Sequence, residues 1–108
     1  MRRGEVWWAQ LPAPAGRRPV VLLSRNEAYA VRELVTVGAV TTRLRRVPTE
    51  VELGPEDGLP KRCVVNLDTI TTVPRRALAE LIAPLTPEKL AAVERALMFA
   101  LGLARVSG

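Results

Sequence analysis

Short apolar runs broken by turn residues fill the first two-thirds of the chain, and a helical period appears only near its end. Residues 5–11 (EVWWAQL) are bulky enough for a strand, and Pro12 and Pro14 stop it. The run Pro19–Ser24 is apolar on both faces, as a central buried strand requires. Residues 25–33 are polar and read as a short helix or loop, with Asn26 as a possible cap. Residues 34–42 (LVTVGAVTT) form another strand, in which Gly38 marks a bulge or a close backbone approach. The basic turn Arg43–Arg46 leads into Thr49–Leu53, whose alternation predicts a half-exposed strand. Gly54–Pro60 is a loop by its chemistry, and Cys63–Asn66 and Thr69–Val73 read as two separate short strands.

The period then changes. Ala77–Ile82 has the makings of one or two helical turns. Thr86-Pro87-Glu88 starts a helix, with a hydroxyl N-cap, proline at the first helical position and an acid in the first turn. Leu90, Val93, Leu97 and Leu101 follow at helical spacing as core or dimer packing, and Gly102 ends the helix. Ala104–Gly108 are expected to fray. Five or six closely spaced strands and one terminal helix describe a mainly β (α+β) fold, a small barrel with a helix packed on it. A parallel sheet is disfavoured, because no crossover helices separate the strands.

At 108 residues the chain fits a single domain, 1–108. Its one cysteine, Cys63, has no internal partner and suits a reducing, cytoplasmic setting. Without a histidine neighbour it reads as buried packing and not as a nucleophile. No apolar run reaches the roughly 20 residues of a membrane span. Glu5, Gln10 and the prolines that follow Met1-Arg2-Arg3 argue against a secretion signal. The chain has no histidine, which removes the Ser-His-Asp triad, a two-histidine ribonuclease pair and nearly every zinc site. No phosphate-cradling glycine loop is present, so no nucleotide cofactor and no metal are expected. Any catalysis must run on arginine, carboxylates, hydroxyls and backbone amides.

Charge points to a polyanion. The formal net charge is +5, and fourteen of the sixteen basic residues are arginine, whose planar fork grips phosphate in bidentate fashion. Residues 1–76 hold 13 Lys/Arg against 8 Asp/Glu, whereas residues 77–108 hold three of each. With only four aromatic residues (Trp7, Trp8, Tyr29 and Phe99), a multi-base stacking platform is not expected. Trp7 and Trp8 alternate along one strand, which predicts one in the core and the other on the surface or at a dimer interface.

Read in order, the strings Arg3-Gly-Glu-Val-Trp7, Gly16-Arg-Arg-Pro-Val-Val21, Gly38-Ala-Val-Thr41, Pro48-Thr-Glu-Val51, Cys63–Val73 and Leu85-Thr-Pro-Glu88 make the chain resemble the MazF/PemK toxin endoribonuclease family over residues 2–103. The resemblance implies an SH3-like β-barrel, a homodimer and metal-independent cleavage of single-stranded RNA at a short sequence. It also implies a cognate antitoxin whose acidic, disordered C-terminal tail lies across the RNA-binding surface. The family's catalytic pair carries over to Arg18 and Thr41. Alternation puts Thr41 and Thr42 on opposite faces, so one of them reaches the pocket, and the family pattern selects Thr41.

RNA supplies its own nucleophile in the 2′-hydroxyl, so the protein has only to align it and to stabilise charge on phosphorus. Arg17 and the turn residues Arg43, Arg45 and Arg46 are candidates for a phosphate track. Asp68 is a candidate for orienting Arg18 or reading a base edge, with a structural turn carboxylate as its other reading. Thr69 is a candidate base contact where relatives often carry Gln or Asn. Many family members have a glutamate in a longer first loop, whereas Pro12–Arg17 is short and has no acid. The alternatives are a non-catalytic toxin on the same fold, such as the CcdB-like gyrase poisons, or a nonspecific nucleic-acid binder. The gyrase poisons act through a tryptophan-bearing C-terminal end, and this chain has no tryptophan beyond position 8.

Overall fold

The computed structural model describes residues 1–103, so the expected fraying of 104–108 lies outside the described residues. Strand β1 (Glu5–Gln10) pairs antiparallel with β2 (Arg17–Leu22), and β2 with β3 (Leu34–Thr41). The remaining strands are β4 (Glu50–Leu53), β5 (Cys63–Pro74) and β6 (Leu78–Pro84). All six form one antiparallel sheet in the order β4-β5-β3-β2-β1-β6, curled into a half-barrel. This is the expected mainly β, SH3-like small barrel with a C-terminal helix.

Both faces of the central strands are buried, as the unbroken apolar run of β2 requires. Val6, Val21, Val40 and Val65 face one core, which helix α2 (Pro87–Ala100) closes with Val93 and Ala96. Ala9, Val20, Leu22 and Val37 face a second core with Tyr29 of the short helix α1 (Ala28–Val31). Helix α1 has Glu27 at its N-cap without a side-chain bond, and the expected cap, Asn26, instead accepts from the Arg3 backbone N–H at 2.7 Å. Helix α2 starts as expected, with the Thr86 hydroxyl accepting from Lys89 N at 3.2 Å and Pro87 in the first turn. Gly102, at φ 68°, follows its end. Of the apolar stripe only Val93 is fully buried, and Leu101 is exposed. Trp7 and Trp8 are both half-buried: Trp7 packs on the second core and donates to Glu5 at 2.9 Å, while Trp8 lies under Arg17.

Two elements differ from the sequence pattern. Residues 63–66 and 69–73 belong to one strand, β5. Ala39 pairs with Asn66 but Gly38 with Ile70, so residues 67–69 bulge out of the ladder. Leu67 fills the first core from this bulge, and its N–H donates to Thr49 O at 2.8 Å. Asn66 Oδ1 accepts from Asp68 N at 2.9 Å, so turn-like residues are accommodated without ending the strand. The second difference is Ala77–Ile82, which does not form helical turns. A 3₁₀ turn (Arg75–Ala77) leads into β6, which pairs with the otherwise open edge of β1.

Gly38 sits where the two cores draw close to the β3 backbone. A Cβ there would lie 2.9 Å from Val65 Cγ2 and 3.4 Å from Leu23 Cδ1. Gly38→Ala is therefore expected to lower stability by about 1–3 kcal/mol, the usual range for overpacking. Denaturant unfolding checks this, and a wild-type midpoint would refute the close approach.

Candidate active site

Arg18 lies on β2 directly opposite Ala9 of β1. The β2–β3 ladder pairs Val20 with Ala39, and the same register continued by two residues sets Arg18 across from Thr41. Side chains on one strand alternate between faces, so Arg18 shares its face with Val20 and Leu22, and Thr41 with Ala39 and Val37. These are the same face, that of the second core. Both residues are half-buried, at the rim where the apolar packing ends. The two expected catalytic groups thus fall side by side on adjacent strands. Thr42 lies beyond the end of β3 and is exposed.

Thr41 Oγ1 accepts from Arg43 N at 3.2 Å, which pins the start of the basic turn and leaves the hydroxyl proton free to donate. Glu50 pins the other end: its Oε1 accepts from Arg45 N at 2.9 Å and from Arg46 N at 3.1 Å. Arg46, at φ 57°, is the one non-glycine residue among those described with a positive φ. Among the described residues, no ion pair engages Arg18, Arg43, Arg45 or Arg46, whereas Arg3, Arg17, Arg62 and Lys89 all have acidic partners. The unpaired guanidiniums are the ones near Thr41, and they make this rim cationic.

The other candidates are placed differently. Arg17 occupies the opposite face from Arg18, 4.9 Å over the Trp8 ring and 3.2 Å from Glu80, so it is not gathered with the turn. Asp68 accepts from the Thr49 hydroxyl at 2.7 Å and is not bonded to Arg18, which makes it a clamp on the bulge. Thr69 is exposed at that bulge. Burial pushes the Cys63 thiol up from its ordinary value, in keeping with packing. Among the described residues, no group of three or more Cys, Asp or Glu side chains is arranged to hold a metal. Sequence reasoning missed Glu50. Its one signal was an acid starting the strand that leaves an arginine turn.

Fold and rim together define a small antiparallel barrel whose unpaired arginines face a polyanion. The model of the PemK-like, MazF-like toxins of type II toxin–antitoxin systems matches residues 2–101. The probable endoribonuclease MazF5 of Mycobacterium tuberculosis is 38% identical over 104 residues, 95% of this chain and 94% of that protein. The probable endoribonuclease MazF2 of the same species is 42% identical over 91 residues, 83% of this chain and 87% of that protein. Among solved structures, the Mycobacterium tuberculosis toxin MazF-mt6 superposes with a TM-score of 0.86 at 31% identity, covering 94% of this chain and 99% of that one. A mycobacterial endoribonuclease in complex with its cognate antitoxin gives a TM-score of 0.86 at 30% identity, covering 97% and 98%. The chain belongs to the MazF/PemK-like toxin family of type II toxin–antitoxin systems.

Proposed function

We propose that this toxin is a metal-independent endoribonuclease that cuts single-stranded RNA at a short sequence, with Arg18 and Thr41 as its catalytic residues. The class of activity comes with the family, whose curated relatives are described as endoribonucleases. The observation that carries the residue assignment is the facing placement of an unpaired Arg18 and Thr41 on one sheet face. In the proposed reaction the ribose 2′-oxygen attacks the adjacent phosphorus, the bond from phosphorus to the 5′-oxygen breaks, and a 2′,3′-cyclic phosphate and a 5′-hydroxyl result. The 2′-hydroxyl proton passes to solvent, and the leaving 5′-oxygen takes one from it. The Arg18 fork and the Thr41 O–H stabilise the charge that gathers on the non-bridging phosphate oxygens. With a pKa above about 12, Arg18 acts as a fixed cation and not as the base. Arg43, Arg45 and Arg46 hold flanking phosphates, and Arg17 and Thr69 make peripheral contacts.

The reading extends to assembly. The 1–108 domain acts as a homodimer in the cytoplasm, held in check by a cognate antitoxin whose acidic, disordered C-terminal tail covers the cationic rim. Exposed Val31, Leu34 and Leu81 leave apolar surface for association, and no described helix is long and apolar enough to cross a membrane. A solved relative in complex with its antitoxin supports the partner.

End-group analysis of the products, made in EDTA, tests the chemistry. A cyclic phosphate and a free 5′-hydroxyl are expected; a 5′-phosphate, or loss of cleavage on chelation, would refute it.

A further inference from the structure

Beside the proposed catalytic pair the structure holds an acceptor with nothing to accept from. Val64 of β5 lies directly opposite Thr41, and Glu52 of β4 directly opposite Val64. From Thr41 the same sheet face therefore crosses β5 and reaches the edge strand β4, about 10 Å away at two strand spacings. Here the turn after Thr41 and helix α2 bank a groove of about 570 Å³, within the roughly 300–1,000 Å³ of ligand pockets. Leu44, Val47, Val51 and Phe99 give it apolar walls, and Arg46 and Arg95 stand at its margin. Phe99 is 64% exposed, an unusual position for the one phenylalanine of the chain. Arg95 lies one helical turn before it, on the same side of α2. Neither Arg46 nor Arg95 has an acidic partner among the described residues. Glu50 also lines the groove; its Oε1 is committed to two backbone amides, while its Oε2 is shut off from solvent with no donor.

We propose that this groove is a nucleotide subsite of the cleavage site, which stacks the base next to the scissile phosphate on Phe99 and reads its exocyclic amino group with Glu50, cytosine being the preferred base. The proposal deepens the endoribonuclease reading and rests on it. Single-stranded RNA is recognised by splayed bases that stack on an aromatic ring and present their edges. A carboxylate oxygen is the acceptor that suits the cytosine amino group. The terminal torsion of a glutamate is broad, so Oε2 can swing toward the groove while Oε1 keeps its amides. The two guanidiniums at the margin suit the flanking phosphates. A second copy of the chain fits this groove less well. Its apolar side chains would satisfy the walls, but they would leave the Glu50 oxygen unmatched and the guanidiniums desolvated.

Glu50→Gln separates the possibilities. The glutamine oxygen still accepts from Arg45 and Arg46, while its amide nitrogen puts a donor where the acceptor stood. Cut sites of the wild type, Glu50→Gln and Phe99→Ala are mapped by primer extension on one long RNA, and each protein is weighed by light scattering. The wild type is expected to require cytosine beside the cut, and Glu50→Gln to shift the relative kcat/KM toward uracil by roughly tenfold or more. Phe99→Ala, a surface change that spares the fold, is expected to raise KM about tenfold. An unchanged cut word in Glu50→Gln, or a wild-type word without an amino-bearing base there, overturns the subsite. So does Phe99→Ala turning a dimer into a monomer with the same word, which makes the groove an interface between copies. A wild type that cuts to cyclic phosphate while Glu50→Gln changes nothing refutes the subsite alone. A wild type that does not cut refutes both readings.

Discussion

Arg18→Ala is expected to lower kcat on a cleavable RNA by about 10²–10³-fold, the usual loss when one transition-state donor is removed. Its melting temperature should stay near that of the wild type. The guanidinium sits at the rim beyond the second core, without an acidic partner among the described residues, so its removal leaves no stranded charge. Arg18→Lys keeps the positive charge but loses the planar fork that spans two phosphate oxygens, so it should recover binding better than rate. On the substrate side, deoxyribose at the scissile position removes the nucleophile, and that RNA should survive while its all-ribose counterpart is cut. Single-turnover rates on matched oligonucleotides decide both. Wild-type turnover by Arg18→Ala, or cleavage of the deoxy substrate, would show that the chemistry runs through other groups.

Local signals found the elements that local interactions govern. The cap, the proline and the acid of residues 86–88 marked helix α2 because each meets an unsatisfied amide or the helix dipole within one turn. Gly38 was readable because no side chain fits the gap beside Val65. Strand β6 was not, since Leu78, Leu81 and Ile82 suit either period and Ala-Leu-Ala-Glu favours a helix. The partner that decides the matter, the open edge of β1, lies about seventy residues earlier in the chain. The unity of β5 was hidden for a similar reason. Asp68 and Thr69 carry turn chemistry, and only Thr49, Leu67 and the far strand β3 keep the bulge inside a ladder. At the site, composition made Arg17 and Arg18 equivalent, and so too Thr41 and Thr42. Alternation and register separate them, because one residue of shift reverses the face. Glu50 stood in the pattern as one of two acids on a half-exposed strand, and only the fold-back of the arginine turn onto its carboxylate gives it a task.

The edge strand β4, which carries Glu50, depends on a clamp at its far end, and breaking that clamp should produce the largest loss of stability from a single side chain. Asp57 is buried in the 3₁₀ turn Pro55–Asp57 that follows β4. Its Oδ2 accepts from Gly54 N at 3.0 Å and from Lys89 Nζ at 3.0 Å. Lys89 also donates to Glu52 O at 2.7 Å, so one ammonium ties the first turn of α2 to both β4 and the loop after it. Lys89→Met keeps the aliphatic stem but leaves the carboxylate buried without its cation. Removing one partner of a buried pair costs about 3–5 kcal/mol. The Lys89 side chain is 28% exposed, so water softens the loss toward the lower end. At about 4–8 °C per kcal/mol for a domain of this size, Tm should fall by more than about 10 °C. Adding Asp57→Asn removes the stranded charge and retains an acceptor for Gly54 N, so the double variant should be more stable than Lys89→Met alone. A thermodynamic cycle over the four proteins measures the coupling. Additive losses would mean that the ammonium and the carboxylate do not act as a pair, and that β4 is held by its ladder with β5 alone.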